Sequence, residues 1–532
     1  MDGSGGPARQ ADVGVRNGKI VAFGTVRESA ARTVEAGGLC LMPGIVDVHT
    51  HYDAQVTWDP TLSPSVSLGV TTAILGNCGF GIAPCPAPLR ETVVKNLSVV
   101  EGMDLNALLQ GTRWEFETFA EYLDALERAR PYANVGVLAG HSTIRTAVMR
   151  EEASLRVAPT RQELSEMQRM VREALQAGAA GFASSFSPNH SGRGGKPMPS
   201  TIATDAELQA LAGELKAAGR GIFVMATGPR ATPEYMEAIA AATGRPAFMV
   251  TVLTMYNRAQ PERALQYYER CAAALERGNE VYIHTSCQPL SFDFTLREPY
   301  LLYSHDAFDR VKAAPAAERA AIYRDPAFRR QFRKNLEQPA SGILFCGDWS
   351  QVELDGVPVT RLARDPLEFV FDLPLDTQLV AKLFQNDDAG VAPLLKHHAG
   401  VVALSDAGAH LIYFCDAGFG LHFLAHWVRD IGAFTLEEGV RRLTSDPARK
   451  YRIPGRGLIA PGKWADLLLF EPAKVGISKL TRQSDLPGGG TRMTRAPLGV
   501  HGVWVNGLQV FDGVKYSSRP DGAGRVLRAF ES

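Results

Sequence analysis

Leu41-Met42-Pro43-Gly44-Ile45-Val46-Asp47-Val48-His49-Thr50-His51 is the stretch on which the reading of this chain turns. Pro43-Gly44 interrupts the segment before it. Ile45-Val46-Asp47-Val48 then has the near-continuous apolar character of a parallel strand covered on both faces. Side chains of a strand alternate faces, so imidazoles at i and i+2 leave on the same one and can reach a common metal ion. Two imidazoles can also simply end a strand. Position favours the metal, because the reactive groups of a (β/α)8 barrel sit where its strands end. The first expectation is a metal-assisted hydrolase.

Working outward, strand-like runs at 45–49, 70–76, 135–140, 180–185, 221–226, 247–253, 281–285 and 401–405 alternate with helical stretches. Ser165 to Ala177 and Asp205 to Ala218 are two such stretches, each behind a plausible cap. This alternation predicts an α/β fold, a TIM-like (β/α)8 barrel with insertions over residues 45–454, with an open doubly wound sheet as the alternative. The two ends differ from the middle. Residues 1–44 read as short strands around an Asn17-Gly18 turn, and residues 455–532 hold strand-like Ala465–Phe470 and Gly502–Gly507. Neither end is long enough for a sheet of its own, so both termini are expected to pair into one small β-sandwich domain.

Bulk properties narrow the function. Of 532 residues, 45% are hydrophobic and 21% charged, with a net charge of −1, so nucleic acid is not an expected partner. No apolar run approaches the length needed to cross a bilayer, and the N-terminus lacks a secretory pattern. The seven cysteines are scattered without paired spacing, which points away from disulfides and toward a reducing cytoplasm. The expected partner is a small-molecule substrate, and a homo-oligomer is compatible with everything read so far.

Other strand ends carry chemistry. Cys78, in Leu75-Gly76-Asn77-Cys78-Gly79, would serve Zn2+ as a thiolate or pack as a small apolar residue. Asp406, after Val401-Val402-Ala403-Leu404-Ser405, could bind a metal and take a proton from water, or cap the following helix. His141, in Gly140-His141-Ser142-Thr143-Ile144-Arg145, is a candidate oxyanion donor and equally a loop anchor. His284 shares that ambiguity. His190, in a Gly/Lys/Arg-rich loop, reads as a rim element or a solvated surface group. His397, His398, His422 and His426 are assigned no site role. Ser142, Ser184 and Ser185 lack the Gly-x-Ser-x-Gly elbow of a serine hydrolase, and no phosphate-binding Gly-rich motif occurs.

The run ending in His49-Thr50-His51, the cysteine in Gly76-Asn77-Cys78-Gly79, Gly140–Arg145, Ser405-Asp406-Ala407-Gly408 and the closing Pro461-Gly462-Lys463-Trp464-Ala465-Asp466 together resemble the amidohydrolase superfamily. Within it they are similar to the N-acyl-D-amino-acid deacylases, nearly end to end. The resemblance implies a TIM-like barrel with a sandwich from both termini and amide hydrolysis by metal-activated water. It places His49, His51 and Cys78 as metal ligands and Asp406 as ligand and general base. It also implies histidines at the ends of strands five and six, yet here those strands are Ile222–Thr227 and Phe248–Thr254, with none. The remaining set, His49, His51, Cys78 and Asp406, could hold a single Zn2+, with His284 or His141 as substitutes if loops bring them inward. The resemblance further implies an opening strand of about ten residues ahead of Asp2-Gly3, without which the sandwich would present a pairing edge.

The expected activity is hydrolysis of an N-acyl (D-)amino acid or a similar small acylated compound. Asp406 would move the proton and His141 would assist the carbonyl, while Arg145, Arg193 and Lys196 could meet a substrate carboxylate. Two alternatives remain at this level: a cyclic amide or imide hydrolase on the same fold, and a catalytically silent barrel.

Overall fold

A computed structural model describes residues 1–337, 345–411, 415–518 and 523–530. Eight strands form one parallel sheet in the order of the chain: Ile45–Asp47, Val70–Leu75, Asn134–Gly140, Gly181–Ser185, Ile222–Ala226, Ala247–Val250, Val281–Thr285 and Gly400–Val402. They are called barrel strands one to eight below. All have buried residues throughout, as a parallel sheet covered by helices requires. The ends of the sheet meet where Thr50 and Ala407 form a parallel bridge and the His51 N–H donates to the Ala407 carbonyl at 2.7 Å. Ser405 Oγ adds donations to Asp47 and the His49 carbonyl. This is a TIM-like barrel.

The sequence boundaries move for local reasons. Strand eight stops at Val402, short of the expected 405, because Leu404 and Asp406 have φ of 70° and 47°, which no extended ladder accommodates. Strand six stops at Val250, where the Thr251 hydroxyl accepts from the Leu253 N–H and starts a 3₁₀ turn. The helix expected from Ser165 begins earlier, spanning Arg161–Ala177, since Thr160 and Glu163 form a reciprocal capping box. Asp205–Ala218 forms as expected, capped by Thr204.

Both termini supply one antiparallel sheet, in which Cys40–Pro43 pairs with Leu467–Phe470, and that strand with Val500–Val505. The hairpin of Asp12–Arg16 and Lys19–Gly24 packs on it through Ile20, buried with Ile459, Ala465 and Leu467. Residues 289–388, between barrel strands seven and eight in the sequence, belong to a second compact unit. It has its own antiparallel sheet and an aromatic core in which Tyr323 stacks on Phe371 at 5.3 Å.

Candidate metal centre

Barrel strand one delivers both imidazoles to the interior. Past Asp47 the chain stays extended between its neighbours, with the Thr50 N–H on the Ile74 carbonyl and the His51 N–H on Ala407. His49 and His51 are buried, and their rings lie 5.3 Å apart. Strand two then turns sharply. Gly76 at φ 80° permits the turn, and a Cβ there would lie 2.4 Å from the Leu138 carbonyl oxygen, so no other residue fits. Cys78 itself is left-handed at φ 55°, and the Asn77 amide ties the turn to Thr50 and Ile74 carbonyls. From the far end of the barrel, the left-handed residues Leu404, Asp406 and Gly408 curl the chain back over strand one.

These turns converge four groups. His49 Nε2 lies 3.7 Å from Cys78 Sγ and 3.1 Å from Asp406 Oδ1, and His51 Nε2 lies 3.5 Å from the same carboxylate oxygen. The ligand atoms of His49, His51 and Cys78 all fall within 4.8 Å of one another. Among the described residues no other three-donor cluster occurs. Two imidazole nitrogens, a sulfur and a carboxylate oxygen are a donor set suited to Zn2+. The electrostatics ask for a cation in the same place. Burial opposes charge on His49, yet Cys78 and Asp406 outweigh it and lift its pKa to about 9. Burial opposes charge on His51 as well, and Glu101, Asp406 and Cys78 raise it well above the ordinary value. Asp406, against the push of burial, is held well below the carboxylate range by the two histidines.

The second nitrogen of each imidazole is also occupied. His51 Nδ1 faces Glu101 Oε1 at 3.3 Å, and the Glu101 carbonyl accepts the His410 N–H. His49 Nδ1 lies 3.0 Å from His284 Nδ1, and His284 Nε2 lies 2.6 Å from the Tyr451 hydroxyl. Ring partners of this kind orient metal-binding histidines. Sequence reasoning missed Glu101 and Tyr451. A buried acid ending the apolar helix Arg90–Val100 was the one available signal for Glu101, and Tyr451 had none.

Strands five and six bring no ligand. On strand six itself, Phe248 fills the interior, with its ring 5.7 Å from His284 and 4.4 Å from Tyr451. His284 is therefore not a replacement ligand but a partner of His49. The expected oxyanion role of His141 finds no support either. The ring is fully buried, with Nδ1 on Ser184 Oγ at 2.8 Å and Nε2 on Glu207 Oε1 at 3.0 Å, so neither nitrogen can meet a substrate. Arg145 is bonded to the same Glu207 and to the Ala153 and Val157 carbonyls, which removes it as a carboxylate anchor. Arg193 and Lys196 stand exposed on the loop after strand four.

Residues 32–322 and 386–511 match the amidohydrolase family. The chain belongs to that family. This amidohydrolase is 29% identical to a D-aminoacylase of Alcaligenes xylosoxydans xylosoxydans, over 99% of this chain and 95% of that protein. It is 30% identical to an N-acyl-D-glutamate deacylase of the same organism, over 99% and 94%. Among solved structures, the N-acyl-D-glutamate deacylase of Bordetella bronchiseptica, complexed with zinc and a phosphonate mimic of the tetrahedral intermediate, superposes with a TM-score of 0.67 at 27% identity. That match covers 99% of this chain and 97% of the other.

Proposed function

We propose that this amidohydrolase is a zinc-dependent deacylase that hydrolyses the amide bond of N-acyl amino acids, with the D series as the expected configuration. The observation that carries the reading is the convergence of His49, His51 and Cys78 with Asp406 over one point of the barrel mouth. One ion is proposed, held by these four residues, since strands five and six contribute none. Bound Zn2+ would supply Lewis acidity, polarising the carbonyl and lowering the pKa of water.

The chain's own groups do the rest. Asp406, held ionised by the two histidines, keeps 22% of its side chain accessible, so it can accept the proton of the attacking water and return it to the leaving nitrogen. Glu101 and His284 hold the two imidazoles in place. A small apolar crevice borders Gly408 and is lined by Trp58, Met103, Leu108 and Leu411. The free cysteines are compatible with a cytoplasmic location.

The test is metal analysis of protein purified without added zinc, joined to amine release from a panel of N-acyl-D- and N-acyl-L-amino acids. The reading predicts about one zinc per chain, release of free amino acid from D substrates, and a loss of roughly 10²-fold or more in kcat for Asp406→Asn assayed at saturating zinc. A metal-free protein that turns over nothing would contradict it.

A further inference from the structure

We propose that His190 is a catalytic residue of this reaction: its Nε2–H donates a hydrogen bond to the substrate carbonyl oxygen as that oxygen gains charge, and Ser185 is the positioning residue that fixes the required tautomer. The inference rests on the hydrolytic reading above and names the group that takes the place expected of His141.

His190 lies in the loop that leaves barrel strand four, but it folds back onto the end of that strand. Its Nδ1 lies 2.7 Å from Ser185 Oγ. Ser185 is fully buried, and its oxygen also accepts the Ser187 N–H at 3.1 Å. The hydroxyl hydrogen then has His190 Nδ1 as the acceptor in reach, which makes Nδ1 the lone-pair nitrogen and leaves the ring proton on Nε2. Phe80, two positions past the ligand Cys78, packs edge-on against the imidazole with centroids 5.0 Å apart, which clamps the ring beside the metal ligands. Nε2 has no protein partner among the described residues, and the residue is half-buried, so this nitrogen is left for something that enters the cleft.

The electrostatics keep the ring neutral. Burial and the neighbouring His410, His51 and His49 push its pKa down to about 3, against the pull of Asp406. A neutral imidazole held at fixed tautomer donates to a developing oxyanion without itself presenting a charge that would bind an anionic ground state. Its contribution therefore grows as the carbonyl becomes tetrahedral, and falls on kcat more than on KM.

The full-length zinc protein and its His190→Ala, His190→Gln, Ser185→Ala and Ser185→Thr variants are compared for zinc content, kcat and KM on an N-acyl-D-amino acid, and affinity for a phosphonate analogue of that substrate. With zinc content unchanged, His190→Ala is expected to lower kcat by about 10²–10³-fold and leave KM within a few fold. Phosphonate affinity should fall in step with kcat/KM. His190→Gln, which keeps an N–H donor, should recover part of the loss, and Ser185→Thr should rescue what Ser185→Ala loses. An active wild type whose His190→Ala variant keeps kcat within about fivefold would overturn the assignment while leaving the deacylase reading intact. A zinc-loaded wild type that releases no amine from any N-acyl amino acid would overturn both.

Discussion

His49 carries the proton balance of the site. In the metal-free protein its pKa of about 9 stands above the ordinary 6.5, so below pH 9 a metal must displace its proton. Zinc affinity is therefore expected to rise about tenfold per pH unit for this proton from pH 7 to 9, then flatten. Stability of the metal-free protein should move oppositely. The raised value contributes stability that is complete below pH 6.5 and lost as pH climbs through 9. Chelator competition and urea unfolding across this range check both, and a pH-independent zinc affinity would count against His49 as a ligand. The tautomer is set from behind. For Nε2 to offer its lone pair, Nδ1–H must donate to His284 Nδ1, whose own proton then sits on Nε2 and donates to Tyr451. His284→Leu is expected to weaken zinc binding by about 10–100-fold, and unchanged affinity in chelator competition would contradict this relay.

At the scale of the element, the ligands are placed by turns at strand ends. Gly408, at φ 95°, makes the turn behind Asp406: an added Cβ would lie 2.7 Å from the His51 carbonyl carbon and oxygen. Gly408→Ala should therefore push Asp406 away from strand one, lowering zinc occupancy and activity together, with stability reduced by about 1–3 kcal/mol. Full zinc occupancy in that variant would show the loop is not what seats the carboxylate. The same turns explain what was legible in the sequence. His49 and His51 declared themselves through the two-residue period of a strand, and Cys78 and Asp406 through their places just past apolar runs. Glu101, Tyr451 and the role of His190 were not legible, because each reaches the site through the path of a helix or loop, and no periodicity encodes where such a path returns. His141 misled for a related reason: it stands at a strand end, but Ser184 and Glu207, distant in sequence, take both of its nitrogens.

Across the whole molecule, the closing Ala465-Asp466 segment joins the terminal sheet to the barrel. Asp466 accepts from Asn134 of barrel strand three at 3.2 Å and from the Asn506 N–H at 2.8 Å, and pairs with Arg456. The Asn506 amide completes the circuit to Asn134 at 2.8 Å. All four side chains are buried, so removing the carboxylate strands the Arg456 cation. Asp466→Ala should cost about 3–5 kcal/mol in chemical unfolding while the folded fraction keeps its kcat, and a loss below about 1 kcal/mol would deny the network that role. A sandwich built from both termini was foreseeable from two runs of short strands too small to stand alone. The separate packing of residues 289–388 was not, since the sequence showed that stretch only as an insertion within the barrel, between the runs at 281–285 and 401–405.

The central claim is that strands one, two and eight assemble one cation site from two imidazoles, a thiolate and a carboxylate. X-ray absorption at the zinc edge of the purified full-length protein tests it most directly. The account predicts a first shell with one sulfur at about 2.3 Å and two imidazole nitrogens at about 2.0–2.1 Å beside oxygen. Bound zinc whose shell contains no sulfur would contradict it.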